Sequence, residues 1–186
     1  YYTNGWGTFY RKSLGPPVGT QISFVIFDEP GVIDFLTKGI AVNSDGNLII
    51  ANYQQDEVYE YDPSRSAGDR IVAISSVSFM SSPTDVRLVD DGVVVLNGAG
   101  MDGYRILVLD ENLALIDHFG NYGADEFYFP LLFVAVLNKK LSILDTDFVP
   151  GDEANRLVSC SPDGGPFTIY MAGDDGQSPF QFYNIC

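Results

Sequence analysis

The densest run of oxygen donors in the chain is Asp145, Asp147, Asp152 and Glu153, broken by Pro150-Gly151. Carboxylates this close together are hard ligands, and calcium is the cation they suit. The spacing is not the twelve-residue helix-loop-helix pattern, so a solvated acidic loop is the competing reading. Asp174-Asp175-Gly176 is a thinner version of the same feature. His118 is the only histidine, so any Ser/His/Asp relay has to use it. It stands in Ile116-Asp117-His118-Phe119, a strand-like stretch in which Asp117 points to the opposite face and cannot orient it. An ordinary strand histidine is the expectation there. The phosphate-cradling GxxxxGK[ST] pattern does not occur, and Gly98-Ala99-Gly100 reads as a turn. No catalytic residue is assigned, and no cofactor beyond possible calcium.

Two further groups bear on binding. Tyr1, Tyr2, Trp6, Phe9 and Tyr10 gather at the N-terminus, where aromatic rings could anchor a partner subunit or stack on a sugar. Their competing role is packing into a local core. Cys160 and Cys186 are the only cysteines, with no CxxC or Cys/His cluster to hold zinc. They form one disulfide or remain two thiols. The disulfide is the preferred expectation and agrees with a protein working outside the cell or at its surface.

These residues must be positioned by something, and the chain shows what. A segment recurs three times at intervals of about 46 residues. Its first copy is Gly39-Ile40-Ala41-Val42-Asn43-Ser44-Asp45-Gly46-Asn47-Leu48-Ile49-Ile50-Ala51-Asn52. The second runs from Asp85-Val86-Arg87-Leu88 through Asp90-Asp91-Gly92 to Val93-Val94-Val95-Leu96-Asn97. The third is Leu132 to Val136, Asn138-Lys139-Lys140, then Leu141 to Asp145. Each is an apolar strand, a tight polar turn and a second apolar strand ending in Asn or Asp. Asp45-Gly46 suits a hairpin, because Gly accepts positive φ. Asn52, Asn97 and Asp145 are placed to bond nearby backbone and fix the chain where it leaves the sheet.

Two more strands follow each pair. Val58-Tyr59-Glu60-Tyr61-Asp62 matches Arg105-Ile106-Leu107-Val108-Leu109-Asp110 in position and style. Strands are expected near 40–43, 47–52, 57–62 and 71–75, then 84–89, 93–97, 104–110 and 114–119, then 131–137, 141–145, 156–160 and 167–171. Earlier in the chain, 8–12 and 21–27 read as strands, and 31–38 is the best candidate for a helical turn. A four-stranded meander has two apolar faces and cannot bury both alone. Packing copies around an axis covers them. The expected fold class is therefore all-β, a β-propeller of four-stranded antiparallel blades. About four blades would lie in this chain, either as the whole ring or as part of a larger one. Residues 1–36 would form an atypical first blade or closing strands. Repeats would occupy 37–80, 81–127 and 128–173, and 174–186 a closing strand or the start of a further blade.

The Gly39 to Asn52 segment resembles an NHL repeat, the blade unit of one propeller family. That pattern has a Gly-Ile-Ala-Val start, an Asp-Gly-Asn turn, a strand ending in Ala-Asp and another ending in Phe/Tyr-Asp. Tyr61-Asp62 and Leu109-Asp110 resemble the last element, and Phe119-Gly120 through Phe127 to Pro130 resembles the link between blades. The likeness covers about residues 37–145. The second copy departs from it with Asp85-Val86-Arg87, and the third with Asn138-Lys139-Lys140. The resemblance implies a rigid platform. Some calcium-dependent lyases and lactonases share the architecture, but their metal-binding histidines have no match here.

Composition narrows the partners. Hydrophobic residues make up 46% of the 186, which argues against general disorder. The net charge of −15, from 25 acids and 10 bases, repels nucleic acid and anionic membranes. No apolar run is long enough for a spanning helix, and no Asn-x-Ser/Thr sequon occurs. A chain opening on Tyr1 rather than Met is expected to be processed or part of a longer one. The functional expectation is a non-enzymatic extracellular scaffold for protein or glycan contacts. The alternatives are a structural subunit of an extracellular polymer or surface assembly, and a fragment of a calcium-dependent propeller lyase or lactonase.

Overall fold

The computed structural model describes residues 2–3, 8–12, 21–25, 37–75, 77–90, 92–98, 104–122, 126–137, 140–146 and 155–172. Among the described residues, fifteen strands form four antiparallel sheets and there is no helix. The N-terminal sheet has three described strands: β1 (Tyr2–Thr3), β2 (Thr8–Lys12) and β3 (Gln21–Val25). Three four-stranded meanders follow. The first is β4 (Thr37–Val42), β5 (Leu48–Asn52), β6 (Glu57–Tyr61) and β7 (Ile71–Ser75). The second is β8 (Pro83–Val89), β9 (Gly92–Asn97), β10 (Ile106–Leu109) and β11 (Leu115–Phe119). The third is β12 (Phe129–Leu137), β13 (Lys140–Thr146), β14 (Asn155–Cys160) and β15 (Thr168–Ala172).

The expected strands and observed strands agree within a few residues. The helical turn expected over 31–38 is not what Thr37 and Lys38 do; they open β4, and 31–36 lie outside the described residues. The reason is pairing: Thr37 stands opposite Asn52 in the β4–β5 ladder.

Alternation along the middle strands explains how the sheets stack. On β9, Val93 and Val95 pack with Ile49, Ala51 and Val58 of the first meander. Val94 and Leu96 pack with Phe133, Ile143 and Val158 of the third. Successive side chains of a strand point to opposite faces, so one strand feeds two inter-sheet cores. Each valine removed from water in this way contributes about 2 kcal/mol.

The innermost strands share one irregularity. The first-to-second strand ladder slips between Thr37 and Gly39, between Pro83 and Asp85, and between Pro130 and Leu132. An extra residue there bends the strand and increases its twist. Turns at the opposite end are tied by side chains. The Asn43 Oδ1 accepts the N–H groups of Asp45 (3.1 Å) and Asn47 (2.9 Å). The Asp110 Oδ1 accepts those of Asn112 (2.9 Å) and Ala114 (2.8 Å). Gly46 has φ 87°, the left-handed geometry expected of the Asp45-Gly46 hairpin.

Candidate functional site

Hairpin ends of the first and second meanders enclose a cleft of about 780 Å³. Its walls come from the 43–45 turn and Glu60 on one side, and from 88–90, 92–93 and 110–112 on the other. Five carboxylates line it: Asp45, Glu60, Asp90, Asp110 and Glu111. Ile49, Leu88 and Val93 supply apolar surface between them. The Glu60 Oε1 accepts a hydrogen bond from each of the Asn43 and Asn47 side-chain amides, both at 2.8 Å. Two donors on one oxygen fix the Glu60 carboxylate against the turn. Gly92 lets the neighbouring hairpins close up: a Cβ there would lie 2.1 Å from the Leu109 carbonyl oxygen. A partly apolar cleft with this rim favours cationic groups through its field and its acceptor oxygens.

At the other end, the polar residues that close each repeat are committed to nearby backbone and side-chain partners. Asn52 is wholly buried, accepts the Gln54 N–H (3.2 Å) and donates to Gln55 (2.7 Å). Asn97 accepts the Ser81 N–H (2.7 Å) and donates to the carbonyls of Phe79 (3.1 Å) and Tyr104 (2.8 Å). Asp145 accepts the Tyr128 N–H (2.9 Å) and pairs with Arg156 Nε (2.8 Å). Both members of that ion pair are buried, and Arg156 Nη2 also donates to the Glu126 carbonyl (2.9 Å). Arg156 lies 4.1 Å from the Tyr128 ring centre, and the fully buried Arg105 lies 5.5 Å from that of Tyr122. Burial pushes the Arg105 guanidinium below the ordinary arginine range, opposed by the charges of Asp145 and Tyr122.

Of the expected calcium ligands, Asp145 is thus bound into the third meander, while Asp147, Asp152 and Glu153 lie outside the described residues, as do Asp174 and Asp175. Among the described residues no group of three or more His, Cys, Asp and Glu is arranged to hold a metal ion. Tyr2 and Tyr10 face each other in the β1–β2 ladder, and Phe9 stands opposite Thr3 and Phe24; Tyr1 and Trp6 lie outside the described residues. His118 sits on β11, the outermost strand of its sheet, with its ring 3.9 Å from Tyr104 and 5.0 Å from Phe79. Cys160 is in the core between the second and third meanders, and burial alone pushes its thiol up to about 12. Cys186 lies outside the described residues.

Solved structures resemble this arrangement. A protein of unknown function from Bacteroides caccae matches with TM-score 0.51 and 19% identity, over 67% of this chain and 45% of its own. A protein described as a candidate 6-phosphogluconolactonase from Bacteroides uniformis matches with TM-score 0.54 and 11% identity, over 90% of this chain and 54% of its own. The fold is a partial β-propeller. Each four-stranded meander is a blade, and β4, β8 and β12 are the innermost blade strands. The chain spans about half the length of the structures it matches. No protein-family model matches the chain, and no curated protein matches it.

The sequence reading missed the buried arginines Arg105 and Arg156, the Asp85–Arg87 pair and the cleft. One signal was available for the arginines. Each immediately precedes an apolar stretch, Ile106 and Leu157, at the same place in its repeat. A charge at the mouth of a buried strand needs a partner.

Proposed function

We propose that this chain is a non-enzymatic, NHL-like propeller platform outside the cell, and that its acidic cleft receives a basic segment of a partner protein. The observation that carries the reading is the contrast between the two blade ends. At one, Asn52, Asn97 and Asp145 are buried or turned into local contacts; at the other, five carboxylates border a 780 Å³ cleft, with Glu60 and Asp110 held in place there by bonds to their turns. Clefts of this size accommodate a few side chains of an extended segment. A carboxylate rim sets partner choice and association rate more than raw affinity.

The test is calorimetric titration with a lysine-rich peptide and with a neutral oligosaccharide, at low and high salt. Salt-sensitive peptide binding is expected, lost when Asp45→Asn, Asp110→Asn and Glu111→Gln are combined. Equal binding by parent and triple variant would overturn the reading, because attraction would then come from net charge alone.

A second reading, a subunit of a surface assembly, draws on one observation. The outermost strands each carry an exposed isoleucine: Ile74 (55%), Ile116 (60%) and Ile169 (38%). Light scattering over a concentration series decides it, with growth in mass expected of an assembly and a constant monomer mass ruling it out.

A further inference from the structure

The joint between the second and third blades is made by side chains in place of a strand. β12 is an edge strand, so its outward N–H and C=O groups have no ladder partner within their own sheet. Both outward groups of Phe133 are taken by β8. The Phe133 N–H donates to Asp85 Oδ2 (2.9 Å), and Arg87 Nη2 donates to the Phe133 carbonyl (3.4 Å). Arg87 Nη1 donates to Asp85 Oδ1 (2.7 Å), locking the two side chains into one fork. The Arg87 guanidinium also lies 5.9 Å from the Phe133 ring centre. Nearby, the Thr84 hydroxyl donates to the Pro130 carbonyl (3.1 Å), the one polar backbone group a proline offers.

The joint between the first and second blades is built differently. There Gly39 brings backbone against backbone: a Cβ on it would lie 2.5 Å from Asp85 Cα and 2.7 Å from the Val86 nitrogen. The two joints therefore part by different routes. Separating β4 from β8 breaks a steric fit along the strand. Separating β12 from β8 means releasing the fork, the Thr84–Pro130 hydrogen bond and the packing of Phe133 against β9, and of these the fork meets solvent, Arg87 being more than a third exposed. The β12–β13 ladder also slips between Phe133 and Ala135, at the point the fork grips.

We propose that Asp85 and Arg87 form a releasable clasp, and that the wedge between the second and third blades opens there before any blade unravels. A local opening of this kind is a low-energy state of the native protein, visible as exchange of the amide it protects.

Residue-resolved hydrogen exchange of the intact chain tests it, comparing the Phe133 amide with that of Ile50 on β5. In Asp85→Ala, Phe133 is expected to exchange about tenfold faster, the effect of one lost hydrogen bond to a charged group, while Ile50 is unchanged. Arg87→Met, milder because Arg87 is partly exposed, is expected to move Phe133 in the same direction and leave Ile50 alone; it decides the matter if Asp85→Ala does not fold. Equal acceleration of both amides, or an unmoved Phe133, would overturn the clasp.

Discussion

Asn97 and Asp145 hold the same corner of consecutive blades by different chemistry. Each accepts the N–H two residues before its blade's first proline, Ser81 before Pro83 and Tyr128 before Pro130. Asn97 then donates its own amide to the carbonyl of Phe79, two residues earlier again. A carboxylate has no proton to give. In the third blade Arg156 supplies it, bonding Asp145 with one nitrogen and the equivalent carbonyl, Glu126, with another. One amide in the second blade is replaced by an ion pair in the third.

The two corners should therefore respond unequally to exchange. Asn97→Asp leaves the Phe79 and Tyr104 carbonyls without their donor, at a cost of about 1–3 kcal/mol. Asp145→Asn takes the carboxylate from the buried Arg156 and should cost about 3–5 kcal/mol. Urea unfolding midpoints check the order; a milder Asp145→Asn than Asn97→Asp would contradict it.

Asp85 gives a pH signature. Burial pushes its carboxyl above the ordinary carboxylate range, against the opposing pull of Arg87 and of the Phe133 and Val86 N–H groups. A folded pKa above the unfolded one means the native state binds the proton more tightly. The contribution is then fully present below the unfolded pKa and is lost as pH rises through the folded one. The stability advantage of the parent over Asp85→Asn should accordingly shrink as pH rises from about 4, the ordinary carboxylate value. Unfolding both proteins across that range checks the sign, and a growing advantage would refute it.

Gly39 and Gly46 separate steric from conformational cost. A methyl on Gly39 meets the backbone of the neighbouring blade, so Gly39→Ala should cost about 2–3 kcal/mol or more. Gly46 has open space around it and only its φ of 87° to defend, so Gly46→Ala should cost about 1 kcal/mol. Paired denaturation curves give both values.

Cys160 should be chemically silent in the folded protein. With Cys186→Ser as background, its thiol is expected to alkylate at neutral pH about a hundredfold more slowly in buffer than in denaturant. Mass spectrometry of a time course reads the ratio, and comparable rates would place the thiol outside the core.

The alternation of Val58 to Tyr61 and the Asp45-Gly46 turn made the strands and hairpins legible in the sequence, because both are set by neighbours along the chain. The role of Asn52, Asn97 and Asp145 was legible for the same reason: a side chain that bonds adjacent backbone announces itself locally. What escaped was set by distance. Arg156 and Arg105 gain their surroundings only in the fold, where Asp145 and the Tyr128 ring meet Arg156 and the Tyr122 ring meets Arg105. Asp85 looked like a departure from a Gly-Ile-Ala start, when it is the acceptor for a strand 48 residues away. The cleft escaped altogether, since its carboxylates come from three turns and strand β6, which only stacking brings together.

The bend that recurs at Thr37, Pro83 and Pro130 has a consequence for growth of the molecule. Because the first strand of each four-stranded blade takes its extra residue at the same point of the ladder, the blade repeats as a unit that meets its neighbour by the same strand. Length then becomes adjustable by whole modules, and the points to re-fit are seam residues such as Gly39, Asp85 and Arg87.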